Sequence, residues 1–576
     1  MKKYLFLFTV TPVQSFIFQA RKTRDLFSGS KLLSDLIDIS LTHLPKENVE
    51  IVFPNTELES KPNRFVAEIR AENDEVINEL GTKLSQKVKE YFVNEGNKAF
   101  SKKISKNKPH NFDKQLEDFL IPYWAAVEIS NDSSYEEKYK ELEATLGATK
   151  NIKMFVQIEE EGARKCSVCG ERNALVIGKK NKNSRMPAYV QHDAVSTELN
   201  DLNENEGLCA VCFTKRFYEN VSYPSTAEIA TMNTISEIND NENFKKYKEF
   251  LGRYYDAQLL YSENLTPKYF KKNGINVRVD DALRYYSKLK NFLKQEKLAL
   301  SKYYALIMFD GDSMGKWLSG EFLRDNVDLK EFHKNLTKAI GRFAKETKEI
   351  LKEPKGKVIF AGGEDFLGFV NLSSLFDVVK ELRGKYNEII NNSLREYIKE
   401  EKQFTFSAGI VIAHYKIPLS EVLNWARKTE KEAKNLSDEK NAFALAVLKH
   451  SGEIHQTVYK WSNNGKSLTE NFDIIGDIVR ELLEEHFSNT FITSLRNEFL
   501  RLKYEKEIEE LIKAEIERLV TRAYMMERLE NETKEEIEPI IGKTKTLLEN
   551  SENDNSEFFY ALEIADFIHR KIEGEE

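Results

Sequence analysis

Two short stretches carry carboxylates at the ends of apolar runs, the arrangement a divalent cation needs. The first is Phe309-Asp310-Gly311-Asp312-Ser313-Met314-Gly315, and the run before it, Tyr304 to Phe309, reads as a buried strand. The second is Ala361-Gly362-Gly363-Glu364-Asp365-Phe366, set between Val358 to Phe360 and Phe366 to Val370, which read as two strands around a tight turn. Gly362 and Gly363 supply turn residues without a Cβ penalty and leave Glu364 and Asp365 at the hairpin tip. Asp310, Glu364 and Asp365, with the Gly311 carbonyl, form a hard-oxygen set suited to Mg²⁺ or Mn²⁺ carrying a triphosphate; Asp312 is a further candidate. Such ions activate an attacking hydroxyl and stabilise a leaving pyrophosphate. Alone, each stretch is an ordinary turn or loop. Together they favour metal-dependent nucleotidyl transfer.

The elements that must position these acids follow from periodicity. Phe332, Leu336, Ile340, Phe343 and Ile350 mark one helix face; Leu372 to Ile390 reads as a second helix and Leu419 to Lys434 as a third. Phe404 to Ala413 and Ala442 to Leu448 read as strands. The resulting order, β-α-β-β-α-β-α-β, is a palm-type, ferredoxin-like arrangement. Ser407-Ala408-Gly409 puts small residues on a central strand, where a ligand or another backbone approaches closely. Ser407 therefore joins Gly311, Asp312, Gly362 and Gly363 as a nucleotide-contact candidate.

A second chemistry lies in Cys166-Ser167-Val168-Cys169 and Cys209-Ala210-Val211-Cys212, which hold all 4 cysteines of the chain. Two such pairs point to a structural zinc ion with a closed four-thiolate shell, Gly170 and Gly207 easing the turns. A disulfide or redox pair is the competing reading, and the absence of an export signal disfavours it. Lys2-Lys3 precede only Tyr4 to Val10, and Pro12 follows, so this stretch reads as a strand in a cytoplasmic chain. No apolar run reaches membrane-spanning length. The 576 residues exceed one core, and the net charge of −8 makes the whole molecule no general magnet for nucleic acid.

With these motifs in hand, residues 303 to 452 resemble the palm domain shared by diguanylate cyclases and the large subunit of type III CRISPR effector complexes. Gly362-Gly363-Glu364-Asp365 corresponds to the Gly-Gly-Asp-Asp turn of the latter, with Glu in the third place. Thr11 to Ile17, Ala20 to Leu26 and Gly29 to Ser34 resemble the start of the Cmr-type (III-B) large subunit, and Tyr223-Pro224-Ser225-Thr226-Ala227 matches a further signature. The resemblance implies a nucleotidyltransferase, activated by target RNA, that makes a signalling nucleotide from ATP in antiviral defence. The product is cyclic oligoadenylate or a conjugate of AMP with S-adenosylmethionine. It implies other Cmr subunits, CRISPR RNA and target RNA as partners, and a phosphate contact for Lys434 in the Ala433-Lys434 pair, where the bland alternative is a surface lysine. A catalytically inactive scaffold is the competing function. The family's HD nuclease domain precedes the first palm, which here starts at residue 4, so His192-Asp193 is read as incidental and no DNA-cleaving HD domain is expected.

The family has two palms, one degenerate. Aligning Phe8 with Phe309 sets Thr9 against Asp310 and Thr11 against Asp312. The expected division is therefore 1–150 (degenerate palm), 151–224 (zinc module), 225–300 (helical linker), 301–455 (catalytic palm) and 456–576 (helical bundle). In the first palm, Arg64 to Ala71 and Pro122 to Ser130 read as strands and Glu75 to Phe92 as a helix. The basic segment with Arg21, Lys22, Arg24 and Lys31 suits either phosphate contact or a solvated helix face. Residues 98 to 115 read as a mobile lysine-rich loop, and Lys179 to Lys182 with Arg185 as a loop anchored by zinc. Helices are expected at Tyr247 to Asp256 and Asp280 to Lys297. Stripes at Phe472, Ile475, Ile478, Leu482 and Leu483, and at Phe491, Leu495, Phe499 and Leu502, mark the bundle, with Tyr524 to Leu529 in its core.

Overall fold

The computed structural model describes the chain except residues 131–132, 153–161, 180–192, 200, 220–222, 363, 464, 466, 485, 487–491, 494–496, 498–508, 524–532, 553–555 and 575–576. The N-terminal unit runs β1 (Lys2–Thr11), α1 (Thr23–Thr42), β2 (Val49–Phe53), β3 (Arg64–Ala71), α2 (Asp74–Lys103), β4 (Ile121–Ile129) and α3 (Tyr135–Asn151). Its 4-stranded sheet has the order β2-β3-β1-β4. The apolar run of β1 serves two layers. Tyr4, Phe6 and Phe8 face the core shared with α1 and α2, whereas Leu5 and Leu7 face Leu142 and Leu146 of α3. A strand covered on both faces has no polar side, which is why it reads as continuous.

Three N-terminal features depart from the sequence reading. The basic segment opens α1, and its Ser28, Gly29 and Ser30 are buried. Of its cations, Arg24 pairs with Asp201 at 2.8 Å and Lys31 with Asp35 at 2.6 Å, so they brace the fold. The expected loop at 98 to 115 is partly helical: α2 continues to Lys103, and Phe112–Glu117 forms another short helix. Strand β2 was not anticipated; its outer side is half-exposed, and its five residues leave little alternation to detect.

The second sheet unit runs β5 (Tyr303–Gly311), α8 (Leu329–Ile350), β6 (Gly356–Gly362), β7 (Asp365–Asn371), α9 (Leu375–Tyr386), β8 (Phe406–His414), α10 (Leu419–Asn435), β9 (Ala442–Leu448) and β10 (Ile454–Lys460). The sheet order is β10-β9-β8-β5-β7-β6. The expected palm order is present, with one further strand. β10 pairs antiparallel with β9 from Ala442↔Lys460 to Leu448↔Ile454, and so carries the sheet past residue 455.

The two sheets superpose in order and in register. β1 lies between β3 and β4, as β5 lies between β7 and β8. Phe8 faces Phe65 and Trp124; Phe309 faces Phe366 and Ala408. This register sets Thr9 where Asp310 stands. It also sets Arg64 where Asp365 stands and Tyr123 where Ser407 stands.

Between the palms lie the four-cysteine segment with α4 (Ala210–Phe217), then α5 (Thr226–Ile238), α6 (Glu242–Leu251) and α7 (Val279–Gln295). Helix α4 is sunk into the first palm's core, where Phe213 meets Phe100 and Phe112. There Arg216 is fully buried against Asp25 at 2.8 Å and Glu206 at 2.7 Å. Beyond the second palm, α11 (Glu470–Leu483) buries Phe472, Ile475, Ile478 and Leu482, and α12 (Ser556–Ile572) packs beside it and on β10. The stripe from Phe491 to Leu502 and the stretch Tyr524 to Leu529 lie outside the described residues.

The palms are locked together by the segment between β2 and β3. Leu58 lies against Gly341 of α8, and a Cβ on Gly362 would come within 3.3 Å of Ser60 Oγ. Lys330 of α8 reaches back to Glu50 and Glu68 of the first sheet, at 2.6 Å each.

Candidate active site

Asp310 ends β5 and Asp365 begins β7, so adjacent strands deliver two carboxylates to one edge of the sheet. Their floor is a stack of Phe366, Phe309 and Phe406, with ring centroids 4.6 and 4.0 Å apart. Gly311 N–H donates to the Glu364 carbonyl at 3.3 Å, which ties the hairpin tip to the end of β5. A Cβ on Gly311 would meet the Glu364 Cβ at 3.0 Å and Met314 at 3.1 Å, so any larger residue would push the two stretches apart by a few tenths of an ångström. Gly363 lies outside the described residues.

The charges are crowded. Desolvation raises the Asp365 carboxyl well above the ordinary carboxylate range, reinforced by its hydrogen bond with Asp310 and by the charges of Asp310 and Glu364. Desolvation and the Asp310 charge also raise Glu364, against the pull of Arg64 and Lys434. Lys434, from α10, forms an ion pair with Asp310 and another with Glu430 at 2.5 Å. Desolvation opposes its ammonium, but these two carboxylates outweigh it and hold Lys434 protonated. Acids that resist ionisation together accept a divalent cation readily, and a carboxylate set of this kind fits Mg²⁺ or Mn²⁺. Below them, a narrow cavity of about 10 Å³ lined by Phe309, Met314, Phe343 and Tyr386 has room for one water.

Two sequence candidates are placed otherwise. Asp312 is 3% exposed and turns into the core. Its carboxylate accepts from Thr405 Oγ1 at 2.7 Å, Ser407 Oγ at 2.8 Å and the Asn441 N–H at 3.1 Å. Ser407 is wholly buried, and its hydroxyl is occupied by Asp312. Neither reaches the surface a nucleotide would touch; together they fix the turn after β5. Sequence reasoning missed Glu430, although the Glu430/Lys434 spacing of i, i+4 on a helix was a readable signal. It also missed Arg64, whose significance appears only from strand pairing.

The four thiols are gathered as their spacing required. Among the described residues, Cys166, Cys169, Cys209 and Cys212 are the one group whose ligand atoms all lie within 4.8 Å of one another. None forms a disulfide. Gly170 takes a left-handed φ of 69°, and the Val168 and Cys212 N–H groups donate to the Cys166 and Cys209 sulfurs at 3.4 Å each. Such N–H groups favour thiolates, and the set fits a tetrahedral zinc ion. Asp193 accepts from the His110 and Asn111 backbone N–H groups at 2.6 and 3.1 Å, a structural role; His192, Lys180 to Lys182 and Arg185 lie outside the described residues.

Two palms of matching topology thus flank a four-thiol module. Residues 303–444 match the family model "Cas10/Cmr2, second palm domain", and residues 5–106 match "CRISPR-associated protein Cmr2, N-terminal". Both models describe Cas10/Cmr2 proteins, which the chain resembles in its first and its second palm. It is 27% identical over 459 residues to the CRISPR system Cmr subunit Cmr2 of Pyrococcus furiosus, a match covering 70% of this chain and 47% of the relative. The chain thus spans about half the length of the curated relative it matches. The fold is shared with a chain of a type III-B Cmr-beta structure in the apo state (TM-score 0.67, 16% identity, 98% of this chain and 82% of that one). A second similar structure is Cmr-beta bound to cognate target RNA (TM-score 0.64, 16% identity, 92% and 79%). No described helix is long and apolar enough to cross a membrane.

Proposed function

We propose that the chain is a metal-dependent nucleotidyltransferase that makes a signalling nucleotide from ATP, working with other Cmr subunits, CRISPR RNA and target RNA. The observation that carries this is the acid pair Asp310–Asp365 on neighbouring strand ends, with Glu364 adding a third charge. Asp310, Asp365 and Glu364, with the Gly311 carbonyl, would hold Mg²⁺ or Mn²⁺. Bound there, the ions supply Lewis acidity at the α-phosphate and an activated ribose hydroxyl. The chain's own part is positional. Lys434, paired here with Asp310 and kept charged by Glu430, would meet a phosphate oxygen of a nucleotide held at these acids. The stacked phenylalanines hold the two strand ends at fixed separation. Zinc in the four-thiol site is structural and braces α4 against the first palm. The division at 1–150, 151–224, 225–300 and 301 onward remains our reading of the domains, with the catalytic palm ending at Lys460.

The acceptor decides the product. A second ATP leads to cyclic oligoadenylate, and S-adenosylmethionine leads to its AMP conjugate. Arg64 of the first palm acts electrostatically on Glu364, which puts a cation beside the acids and supports the triphosphate. The scaffold reading draws on one observation, the Lys434–Asp310 ion pair, which partly neutralises the site without a metal. The assembled complex should be incubated with target RNA, ATP and Mg²⁺ or Mn²⁺ and its products identified by mass. Linked oligoadenylate from ATP alone supports the leading reading. Product that needs S-adenosylmethionine supports the conjugate, and no product with either metal supports the scaffold.

A further inference from the structure

The segment Tyr223-Pro224-Ser225-Thr226-Ala227 lies between α4 and α5, and its polar groups end on both palms. Thr23 Oγ1, at the start of α1, donates to the Pro224 carbonyl at 2.8 Å. Thr226 Oγ1 donates to the Tyr415 carbonyl at 3.1 Å, just past the end of β8. Ser225 and Glu228 close a capping box, so α5 begins at a fixed place. The Ile229 and Ala230 carbonyls of α5 accept from the Asn371 amide at 2.9 and 3.1 Å, which pins the far end of β7. Asp365 begins that strand.

The Tyr223 ring stacks on Phe27 of α1, with centroids 4.9 Å apart. Its hydroxyl reaches two successive carbonyls of β6, Val358 at 3.1 Å and Lys357 at 3.3 Å. Successive carbonyls of a regular strand face opposite ways, so one hydroxyl meets both only where the strand is bulged. The register shows that bulge: Leu367 faces Phe360, Gly368 faces Val358, and Ile359 is the extra residue. β6 is also the last strand of its sheet, so no further strand holds the bulge from outside. Burial keeps the phenol protonated, and so a donor.

We propose that Tyr223 is a positioning residue for the metal-binding acids: its hydroxyl holds the β6 bulge, and with it the twist of the hairpin that carries Glu364 and Asp365. The proposal rests on the nucleotidyl-transfer reading and adds to it a residue outside both sheets. A bulge sets the local twist of its strand, and from Val358 the strand runs on to Gly362 and the turn. Asp310 ends a different strand, β5, which Tyr223 does not touch. A change in β6 therefore moves Glu364 and Asp365 against a fixed Asp310, and a cation that takes oxygens from both sides loses its geometry. The same residue links the acids to the four-thiol module. Arg216 of α4 grips Asp25, which lies on α1 between Thr23 and Phe27.

The test compares Tyr223→Phe with Thr226→Val in the full chain. Each deletes one hydroxyl donor from the same segment, but only the first takes it from β6, and it leaves the ring on Phe27. Tyr223→Phe should weaken Mn²⁺ binding about fivefold, read by electron paramagnetic resonance, and speed hydrogen exchange in β6 and β7. Thr226→Val should leave both as in wild type. In the assembled complex with target RNA and ATP, synthesis by Tyr223→Phe should fall at limiting Mn²⁺ and return to the wild-type rate at saturating Mn²⁺, which general misfolding would not allow. Unchanged Mn²⁺ affinity in Tyr223→Phe, or an equal loss in Thr226→Val, overturns the proposal. A wild type that binds Mn²⁺ through Asp310 yet makes no nucleotide removes the catalytic reading alone, and the binding comparison still decides the role of Tyr223.

Discussion

The two palms share strand order, pairing register and flanking helices, yet one presents carboxylates at its strand ends and the other presents Thr9 and the cation Arg64. The conserved geometry is a platform that brings three strand-end side chains and one helix-end lysine to a common edge. What varies is cheap to change, because these positions sit at element ends and carry little of either core. The second palm also carries a wider sheet, two strands beyond β8 closed by α12, while the first leans on the four-thiol module through α4.

The sharpest break of this comparison is at the acids. Asp310→Ala or Asp365→Asn should lower nucleotide synthesis by about a thousandfold or more, with assembly and RNA binding retained, as read by product mass and gel filtration of the complex. The matching change in the other palm, Thr9→Ala, should leave the affinity for Mn²⁺ unaltered and cost only about 1 kcal/mol of stability. Equal loss of Mn²⁺ binding from both would mean the halves are not divided as described.

Next in size is the buttress. Cys209→Ser should release zinc, detected by elemental analysis, and destabilise the chain by several kcal/mol. Hydrogen exchange should speed up first in β1 and β3 and later in β5 and β7. Metal-free protein of native stability would dismiss the zinc site.

A smaller effect separates a ligand from a brace. Asp312→Asn removes the charge and one acceptor oxygen from the set that takes Thr405, Ser407 and the Asn441 N–H, and should cost about 1–3 kcal/mol while changing Mn²⁺ affinity little. A large drop in metal affinity with stability intact would restore Asp312 to the metal shell.

The smallest concerns the closure of the wider sheet. His455 on β10 sits 2.6 Å from Glu563 of α12 and 2.6 Å from Glu453. The hydrogen bond that the His455 ring donates to Glu563 raises its pKa, against desolvation and with help from Glu453. A histidine raised on folding stabilises fully below its unfolded value near 6.5 and loses that contribution as pH climbs through the folded value. Unfolding temperature should therefore decline from mildly acidic to alkaline pH more steeply in wild type than in His455→Gln. Identical profiles would remove the latch.

Much of the second palm was legible because its strands are long, apolar on both faces and separated by amphipathic helices; Ala442 to Leu448 falls on the observed strand. The strand-end acids Asp310 and Asp365 stood out because carboxylates rarely end buried strands by chance. Asp312 misled for the same reason: an acid two residues on looks like a ligand until Thr405 and Asn441, distant in sequence, are seen to satisfy it. Arg64 was invisible because an arginine opening a strand is unremarkable until pairing sets it against Thr9. The basic start of α1 reads equally as a phosphate surface or a solvated face because its partner Asp201 lies far along the chain, in another module.

The contact of Ser60 with Gly362 bears on how such proteins can be recombined. A chimaera joining the second palm to a relative's N-terminal half inherits whatever segment that relative has between β2 and β3. If it is bulkier at the place of Ser60, the hairpin tip is displaced although every strand-end acid is retained. The unit of exchange is therefore the second palm together with residues 54–63, and a graft that respects the domain boundary alone separates the turn from its mould.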